Sequence, residues 1–329
     1  MRPLQPRPDR LLDPTTNEPR LGSFAGGLPP VVDWSPLAGR AERATRLKRW
    51  VYAAVTTRDL YLAVAVVHLG YAASAFAYAY DGASRRILAR RSWMGAPQAA
   101  SVRRTAAGES IASWWTHDAW IRLAPAEGLE VDAGDFRLDV ELDAKAAPPA
   151  IGAVARVAPG RYDATEKRAL LAARGTLRVG GRTLSLDGGL AGYDFTSGLL
   201  ARHTRWRWGF ALGWTQGGEP FGLNLVQGFV GEAECAAWWR SELVPLAEGE
   251  LRFDERRPAS PWRVRTVDGA ADLTMTPGTV HEERKNLLLV RSRFAQPCGA
   301  WSGAIALEGR SPLVIDRALG VTEDQDVTW

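Results

Sequence analysis

One carboxylic acid draws attention because of the residues around it. Asp194 lies in the glycine-flanked segment AGYDFTSG, and the tryptophan-rich run RWRWGFALGW follows shortly after it, from Arg205. A carboxyl group beside apolar rings is desolvated, which disfavours its charged form and raises its pKa. An acid that keeps its proton near neutral pH is what protonation of an alkene requires. Asp194 is therefore predicted to be a general acid, with Tyr193 and His203 as the residues that hold it or deliver water. The alternative, that Asp194 caps a turn by accepting a backbone N–H, stays open.

Aromatic residues occupy every second position of the run after Asp194, so a β-strand would place them all on one face. The chain has 14 tryptophans and only 3 methionines, although leucine or valine would fill a core equally well. Rigid aromatic walls suit a cavity for flat or conjugated ligands, and ring faces stabilise cations by roughly 0.5–2 kcal/mol each. The alternative is ordinary core packing. The residues predicted to bind a ligand are Trp206, Trp208, Phe210, Trp214 and, in the next strand, Asn224.

The residues between and beyond these aromatics give two further expectations. Arg205 and Arg207 would face the other side of the strand, where we expect them to pair with acidic residues at the surface or between the domains; the alternative is that they bind a carboxylate ligand. Trp238 and Trp239 are adjacent, as are Trp114 and Trp115, so in strands one member of each pair should face inward and the other outward.

Composition excludes several classes of function. The net charge of +4 comes from 41 basic and 37 acidic residues that are interleaved, which is not typical of a nucleic-acid-binding protein. Nucleotide-binding and metal-binding motifs are absent, so we predict no cofactor and no metal site. The two cysteines and the lack of a visible secretory signal favour a cytoplasmic protein with free thiols. The apolar segment 60–80 is interpreted as two buried strands broken at Gly70, and stable membrane insertion is not expected.

The order of elements predicts an all-β protein. Strands recur at intervals of about ten residues, as in antiparallel barrels and sandwiches, and hairpins are indicated at Gly180-Gly181, at the segment TQGGEP and at Asp268-Gly269. The segment 166–174 fits either a short helix or an extended chain. The length indicates two β-domains divided at the glycine-rich segment 186–194. The predicted division is an irregular lead-in at 1–24, a first barrel at 25–188 and a second at 189–329.

Several segments carry a family resemblance. GYDFTSGLLARHTRWRWGFALG, GLNLVQGF, PWRVRT, DLTMTP and RKNLLLVRSRFAQPCGAWSG resemble the bacterial domain-of-unknown-function 2804 family. The order Y-D followed by W-x-W is similar to carotenoid 1,2-hydratases and AttH-like proteins. This likeness implies two consecutive antiparallel lipocalin-like (calycin) β-barrels that act on or hold apolar molecules. It also implies an aspartate that gives a proton to an alkene, and the matching positions are Tyr193, Asp194, Trp206 and Trp208.

The resulting hypothesis is a two-barrel protein that binds an apolar, isoprenoid or polyketide-like small molecule, with acid-catalysed hydration or cyclisation of an alkene as its chemistry. Two alternatives stay open: a binding protein without chemistry, and a glycan-binding or glycan-modifying β-protein. The sequence does not name the ligand, the barrel that holds the site, or the oligomeric state.

Overall fold

Two large curled sheets make up the protein. The structure, a computed structural model, describes residues 2–287 and 290–329. Strands account for 62% of the chain and helix for 4%, and each sheet forms a half-barrel of lipocalin type, which confirms the all-β prediction. In the part of the chain that the structure describes, no helix is long and apolar enough to cross a membrane.

Among the described residues, fifteen strands belong to the first half-barrel and nine to the second. Those of the first are β1 (Gln5–Pro6), β2 (Gly22–Ala25), β3 (Leu47–Thr56), β4 (Leu60–His68), β5 (Ala73–Asp81), β6 (Arg86–Gly95), β7 (Ala100–Arg104), β8 (Ser110–Trp115), β9 (Trp120–Ala124), β10 (Gly128–Ala133), β11 (Phe136–Asp143), β12 (Ile151–Ala158), β13 (Arg161–Val179), β14 (Arg182–Ser185) and β15 (Gly189–Leu199). Those of the second are β16 (His203–Trp214), β17 (Pro220–Gln227), β18 (Ala236–Trp239), β19 (Glu242–Pro245), β20 (Gly249–Arg252), β21 (Trp262–Thr266), β22 (Ala271–Leu287), β23 (Val290–Ile305) and β24 (Leu313–Thr328). The helix α1 (Arg40–Arg46) and the 3₁₀ turns Pro97–Ala99 and Gly231–Glu234 complete the fold.

Each half-barrel is held by the pairing of an early strand with its last long strand. Strand β3 pairs antiparallel with β15, and β16 pairs antiparallel with β24. The three predicted hairpins are present as β13–β14, β16–β17 and β21–β22. The segment 60–80 forms β4 and all but the last residue of β5, which are antiparallel neighbours, as predicted.

The point at which the chain leaves the first sheet and enters the second lies later than the glycine-rich segment 186–194 indicates. Strand β15 begins at Gly189, yet it pairs with β13 and β3 of the first half-barrel. The second sheet starts with β16, so we propose the limit between the domains at 200–202 instead of 188/189. The lead-in also contributes to the first sheet, because β2 pairs with β12 and spans the expected limit at 24/25. The ambiguous segment 166–174 is extended, within β13.

The buried apolar residues form two clusters. One consists of residues 11–199 only and belongs to the first half-barrel. The other joins the interior of the second half-barrel to residues of β3, β4 and β5, among them Tyr52, Tyr61 and Tyr78. Apolar packing is therefore continuous from the second half-barrel across its contact with the first.

Two glycines allow the half-barrels to approach closely. A Cβ atom on Gly192 of β15 would lie 2.7 Å from Cζ of Phe210, and one on Gly222 of β17 would lie 2.5 Å from Cβ of Ala169. Both distances are below ordinary van der Waals contact, so a larger residue at either position would push the two sheets apart. The glycines of the segment 186–194 thus include one that serves packing between the half-barrels.

The two tryptophan pairs behave differently. Trp114 is buried and Trp115 is 70% exposed, as alternation predicts. Trp238 and Trp239 are both buried, because the one that faces outward from the second half-barrel lies against the first. The Trp238 indole N–H donates to the carbonyl of Pro149 in the first half-barrel, and that of Trp239 donates to Glu219. Contact between the half-barrels therefore buries the side chain that alternation places on the outer face.

The packing between the half-barrels predicts a large effect for Phe210→Ala. Phe210 is fully buried between the sheets, and removing a buried aromatic ring costs about 3–5 kcal/mol of unfolding free energy. Chemical denaturation followed by circular dichroism measures this loss. Trp115→Ala on the exposed surface is the control, with an expected change within about 0.5 kcal/mol. Equal, small changes in both variants would contradict a packed interface at Phe210.

Candidate active site between the half-barrels

The aromatic stripe of β16 faces the first half-barrel. The ring of Trp206 stacks on that of Trp50, with centroids 6.0 Å apart and planes 15° from parallel. Trp208 meets Tyr52 edge to face, with centroids 5.2 Å apart. The guanidinium of Arg58 lies over Trp214 at the far end. The stripe thus lines the interface between the half-barrels instead of the inside of a barrel.

The opposite face of β16 carries the two arginines that were expected to pair with acidic residues. Arg205 and Arg207 both form ion pairs with Glu255 and Asp324. A Cβ on Gly209 would lie 2.8 Å from the Trp301 ring, which places this face against the core of the second half-barrel. The prediction that the two arginines pair with acids is confirmed.

Asp194 lies on β15, at the interface and 7% exposed. Its carboxyl group contacts the Lys167 ammonium in an ion pair. The Trp50 indole N–H and the Thr196 hydroxyl also donate to it, each at 3.2 Å. Three donors surround a group that only accepts when ionised, so these contacts suit a carboxylate.

Lys167 joins the two half-barrels electrostatically. Its Nζ atom, on β13, also lies 3.2 Å from Oε2 of Glu234, in the 3₁₀ turn of the second half-barrel. Burial lowers the pKa of Lys167, but the charges of Asp194 and Glu234 outweigh burial and hold that pKa above its ordinary value. The lysine is therefore an ammonium shared by carboxyl groups of both half-barrels.

A third acid adjoins this cluster. Asp163 of β13 is completely buried, and neither of its carboxyl oxygens has a hydrogen-bond partner among the described residues. Burial and the nearby Glu234 raise the pKa of Asp163 well above its ordinary value. Burial thus favours the neutral form of this side chain, in which it adds no negative charge around Lys167.

Glu323 of β24 faces the cluster from the second half-barrel. Its carboxyl oxygens accept from the Trp206 indole N–H at 2.7 Å and from the Gln296 amide at 2.9 Å. Burial raises the pKa of Glu323 to about 7, and among the described residues no cation forms an ion pair with it, although the charge of Lys167 acts on it from a distance. The Tyr78 hydroxyl of the first half-barrel donates to Gln296 at 3.1 Å. Glu323 is thus a carboxyl group that holds a proton up to neutral pH.

The other predicted site residues divide into two groups. Asn224 lies with the stripe: it is buried, accepts from Trp208 at 2.7 Å and donates to the Glu234 carbonyl at 2.9 Å. Tyr193 precedes Asp194 on the strand and so points to the other face, where its hydroxyl donates to Glu166. His203 is on the surface and lies 2.8 Å from Asp326. The structure therefore places Asn224, Trp206 and Trp208 at the interface that holds Asp194, whereas Trp214 lies at the far end of the stripe and Tyr193 and His203 lie elsewhere.

Sequence reasoning missed six residues of this cluster: Trp50, Asp163, Lys167, Glu234, Gln296 and Glu323. The sequence does contain a signal for Trp50. Because side chains alternate along a strand, Trp50 shares a face with Lys48 and Tyr52, opposite Arg49 and Val51. The segment TEDQD around Glu323 gives the opposite signal, since clustered acidic residues are usually solvated. Only the pairing of β24 with the tryptophan stripe shows that Glu323 is buried.

The cluster is closed in this structure. Two depressions of about 410 and 500 Å³ lie on the surface, one beside Trp214 and the other beside Trp239, and neither is lined by Asp194 or Glu323. The stacked rings of Trp50 and Trp206 are half-buried and cover the two carboxyl groups to which they donate. No group of three or more His, Cys, Asp or Glu side chains in residues 2–287 and 290–329 could hold a metal ion.

The fold and the site together define a protein of two lipocalin-like half-barrels that enclose a buried set of carboxyl groups. The chain belongs to the family described as Domain of unknown function (DUF2804), which it matches over residues 28–329. The resemblance noted in the sequence is thereby confirmed. No curated protein sequence matches the chain.

Solved structures share this architecture. A putative AttH (NE1406) from Nitrosomonas europaea is 12% identical, with a TM-score of 0.51 over 89% of this chain and 96% of that one. CghA with Sch210972 is 11% identical, with a TM-score of 0.51 over 98% and 97%. Kievitone hydratase from Nectria haematococca is 14% identical, with a TM-score of 0.48 over 89% and 95%. At these identities, the first two similarities establish a common fold.

The raised pKa of Glu323 predicts a pH dependence of stability. Its ordinary value is 4.5 and its value in the folded protein is about 7. Between these pH values the folded protein keeps a proton that the unfolded chain releases, so stability falls as pH rises through this window. At 1.36 kcal/mol per pKa unit, the loss amounts to about 3 kcal/mol.

Glu323→Gln removes this titration. Its free energy of unfolding, measured by denaturant at a series of pH values, should rise relative to the parent protein between about pH 4.5 and 7. Asp163 and Glu234 are present in both proteins and cancel in the difference. The exposed Glu308→Gln is the matched control and should give no such trend. Parallel curves for Glu323→Gln and the parent would show that Glu323 is not buried as a neutral acid.

Proposed function

We propose that the protein binds an apolar small molecule between its half-barrels and catalyses acid-dependent hydration or cyclisation of a carbon–carbon double bond. The observation that carries this proposal is that two carboxyl groups with unlike partners, one from each half-barrel, lie at the same aromatic interface. Glu323 comes from the second half-barrel and is protonated near neutral pH, whereas Asp194 comes from the first and is paired with an ammonium. An acid and a base thus face the same tryptophan-lined interface.

The two carboxyl groups suit the two ends of such a reaction. The Glu323 O–H transfers its proton to one alkene carbon, the π electrons form the new C–H bond, and positive charge develops on the other carbon. The faces of Trp206 and Trp208 stabilise a cation by roughly 0.5–2 kcal/mol each. In hydration, a water oxygen bonds to the cation and Asp194 accepts a proton from it. In cyclisation, a second double bond of the ligand attacks, and Asp194 accepts a proton from carbon.

The contacts of Asp194 change the role given to it from the sequence. A general acid must hold a proton, but the ammonium of Lys167 and the donors Trp50 and Thr196 favour the ionised carboxylate. Glu323 lacks such a cation and contacts neutral donors only. We therefore assign proton donation to Glu323 and proton acceptance to Asp194. Each turnover leaves a proton on Asp194 and removes one from Glu323, and exchange with solvent restores both.

Entry of a ligand requires movement at the interface. Asp194 and Glu323 are at most 8% exposed, so the ring pair Trp50–Trp206 must separate to admit a molecule between the half-barrels. Flat or conjugated groups suit a space between two indole rings. A protein of this fold, CghA, has been solved with Sch210972, which supports binding of small molecules by the architecture.

Substitution of each carboxyl group tests the reaction. The parent protein is incubated with a panel of isoprenoid and polyene alcohols, and mass spectrometry detects addition of one water or a change of retention without a change of mass. With an active substrate, Glu323→Gln and Asp194→Asn should each lower kcat by about 10²–10⁴-fold, since each removes one proton transfer. The exposed Glu308→Gln and Asp316→Asn are the matched controls and should retain the parent rate.

Binding is measured separately, by quenching of tryptophan fluorescence with the same panel. Glu323→Gln should still quench saturably, whereas Trp208→Ala should weaken binding because it removes an interface ring. Saturable binding without turnover of any compound would identify a binding protein without chemistry. Full activity of Glu323→Gln would remove Glu323 from the mechanism.

A further inference from the structure

The first half-barrel positions its carboxyl group through three neighbouring strands. Tyr52 of β3 is the register partner of Asp194 on β15. Trp50, two residues before Tyr52, donates its indole N–H to that carboxyl group. On the other side of β15, Lys167 of β13 is the register partner of Asp194, and its ammonium contacts the carboxyl group.

The second half-barrel repeats this arrangement. Trp208 of β16 is the register partner of Glu323 on β24, and Trp206, two residues before it, donates its indole N–H to the carboxyl group. On the other side of β24 lies β23, whose Ala295 pairs with Asp324 and whose Cys298 pairs with Val321, so that Gln296 falls opposite Glu323. The Gln296 amide donates to that carboxyl group.

The two sets correspond residue by residue, with one difference in charge. In each set, the strand that carries the carboxyl group lies between two neighbours in the sheet. One neighbour (β3 or β16) supplies the tryptophan donor, and the other (β13 or β23) supplies the second donor. The second donor is a cation, Lys167, in the first half-barrel and a neutral amide, Gln296, in the second. We infer that this one position, lysine in one half-barrel and glutamine in the other, decides which carboxyl group is the base and which is the acid.

The terms acid and base in this inference rest on the proposed function. The protonation states of Asp194 and Glu323 do not depend on it. An ammonium in contact stabilises the charged form of a carboxyl group, whereas an amide offers a hydrogen bond without compensating the charge. The raised pKa of Glu323 agrees with this difference. The titratable groups around the two carboxyl groups are Tyr78, Asp163, Lys167, Glu234 and His281. Lys167 is the ammonium among them, and it contacts Asp194 and Glu234. Lys167 and Gln296 are therefore positioning residues that act through the carboxyl groups.

Carboxyl NMR on the full chain tests this without a substrate. The protein is labelled with ¹³C at the glutamate side-chain carboxyl carbons and titrated, and the Glu323 signal is assigned as the one absent from Glu323→Gln. In the parent it should titrate near pH 7. Gln296→Lys supplies an ammonium to Glu323, so the midpoint should fall by about 1–3 pH units. The exposed Gln216→Lys is the matched control and should leave the midpoint where it is.

The reciprocal variant tests the same idea from the other half-barrel. Lys167→Gln gives Asp194 a neutral partner. In protein labelled with ¹³C at the aspartate carboxyl carbons, the Asp194 signal of this variant is the one that is absent from Lys167→Gln/Asp194→Asn. It should titrate about 1–3 pH units higher than the Asp194 signal of the parent. The exposed Lys145→Gln is the control. This variant adds no charge to the interior, and uptake of a proton by Asp194 neutralises the carboxylate that loses its partner, so it tests the inference if Gln296→Lys does not fold. An unchanged Asp194 midpoint in Lys167→Gln, or an unchanged Glu323 midpoint in folded Gln296→Lys, would overturn the inference.

Activity separates this inference from the proposed function. If both hold, Gln296→Lys loses about 10²–10⁴-fold of turnover at neutral pH, because its Glu323 has no proton to give. If the midpoints move as expected but no compound of the panel reacts in the parent protein, the charge assignment stands and the proposed chemistry fails. If turnover is present but the midpoints stay in place, the chemistry stands and the charge assignment fails.

Discussion

The architecture of the site depends on burial of one ammonium group between carboxyl groups of two half-barrels. Lys167 comes from the first half-barrel and contacts Asp194 there and Glu234 across the interface. Removing one partner of a buried ion pair typically costs about 3–5 kcal/mol, although replacing the whole pair by apolar residues is often harmless. The presence of such a cluster is therefore weak evidence that it serves to stabilise the fold. Its value here is electrostatic, because a fixed cation on one side of the interface makes two similar carboxyl groups chemically different.

Sequence periodicity predicted the local structure well, but not which surfaces of the strands meet. Alternation identified β16 and its aromatic face, and glycine-containing turns identified three hairpins. Alternation shows that Trp206 and Trp208 share a face, but not whether that face lines a barrel or meets a second sheet. Glu323 was missed because acidic residues are normally solvated, and its burial follows only from long-range pairing with β16. Tyr193 was misplaced for a simpler reason, since neighbours on a strand point to opposite faces.

The limit between the half-barrels shows the same weakness of local patterns. A glycine-rich segment is typical of a linker, yet 189–199 is a central strand of the first sheet. Gly192 is required there because Phe210 of the second half-barrel occupies the space of its side chain. Local composition cannot distinguish a glycine that bends the chain from one that lets another sheet approach. That distinction needs knowledge of the partner surface, which is distant in sequence.

The strand pairs that hold the two carboxyl groups also determine when the site forms during folding. Tyr52 and Asp194 are register partners, as are Trp208 and Glu323, and each pair joins an early strand of a half-barrel to its last one. Contacts between residues so distant in sequence carry a large loop-closure cost and form slowly compared with hairpins. The two carboxyl groups are therefore positioned by the least local strand pairings of each half-barrel. A folding intermediate with all its hairpins but without these two closures has native-like strands but does not bring the carboxyl groups to their tryptophan donors.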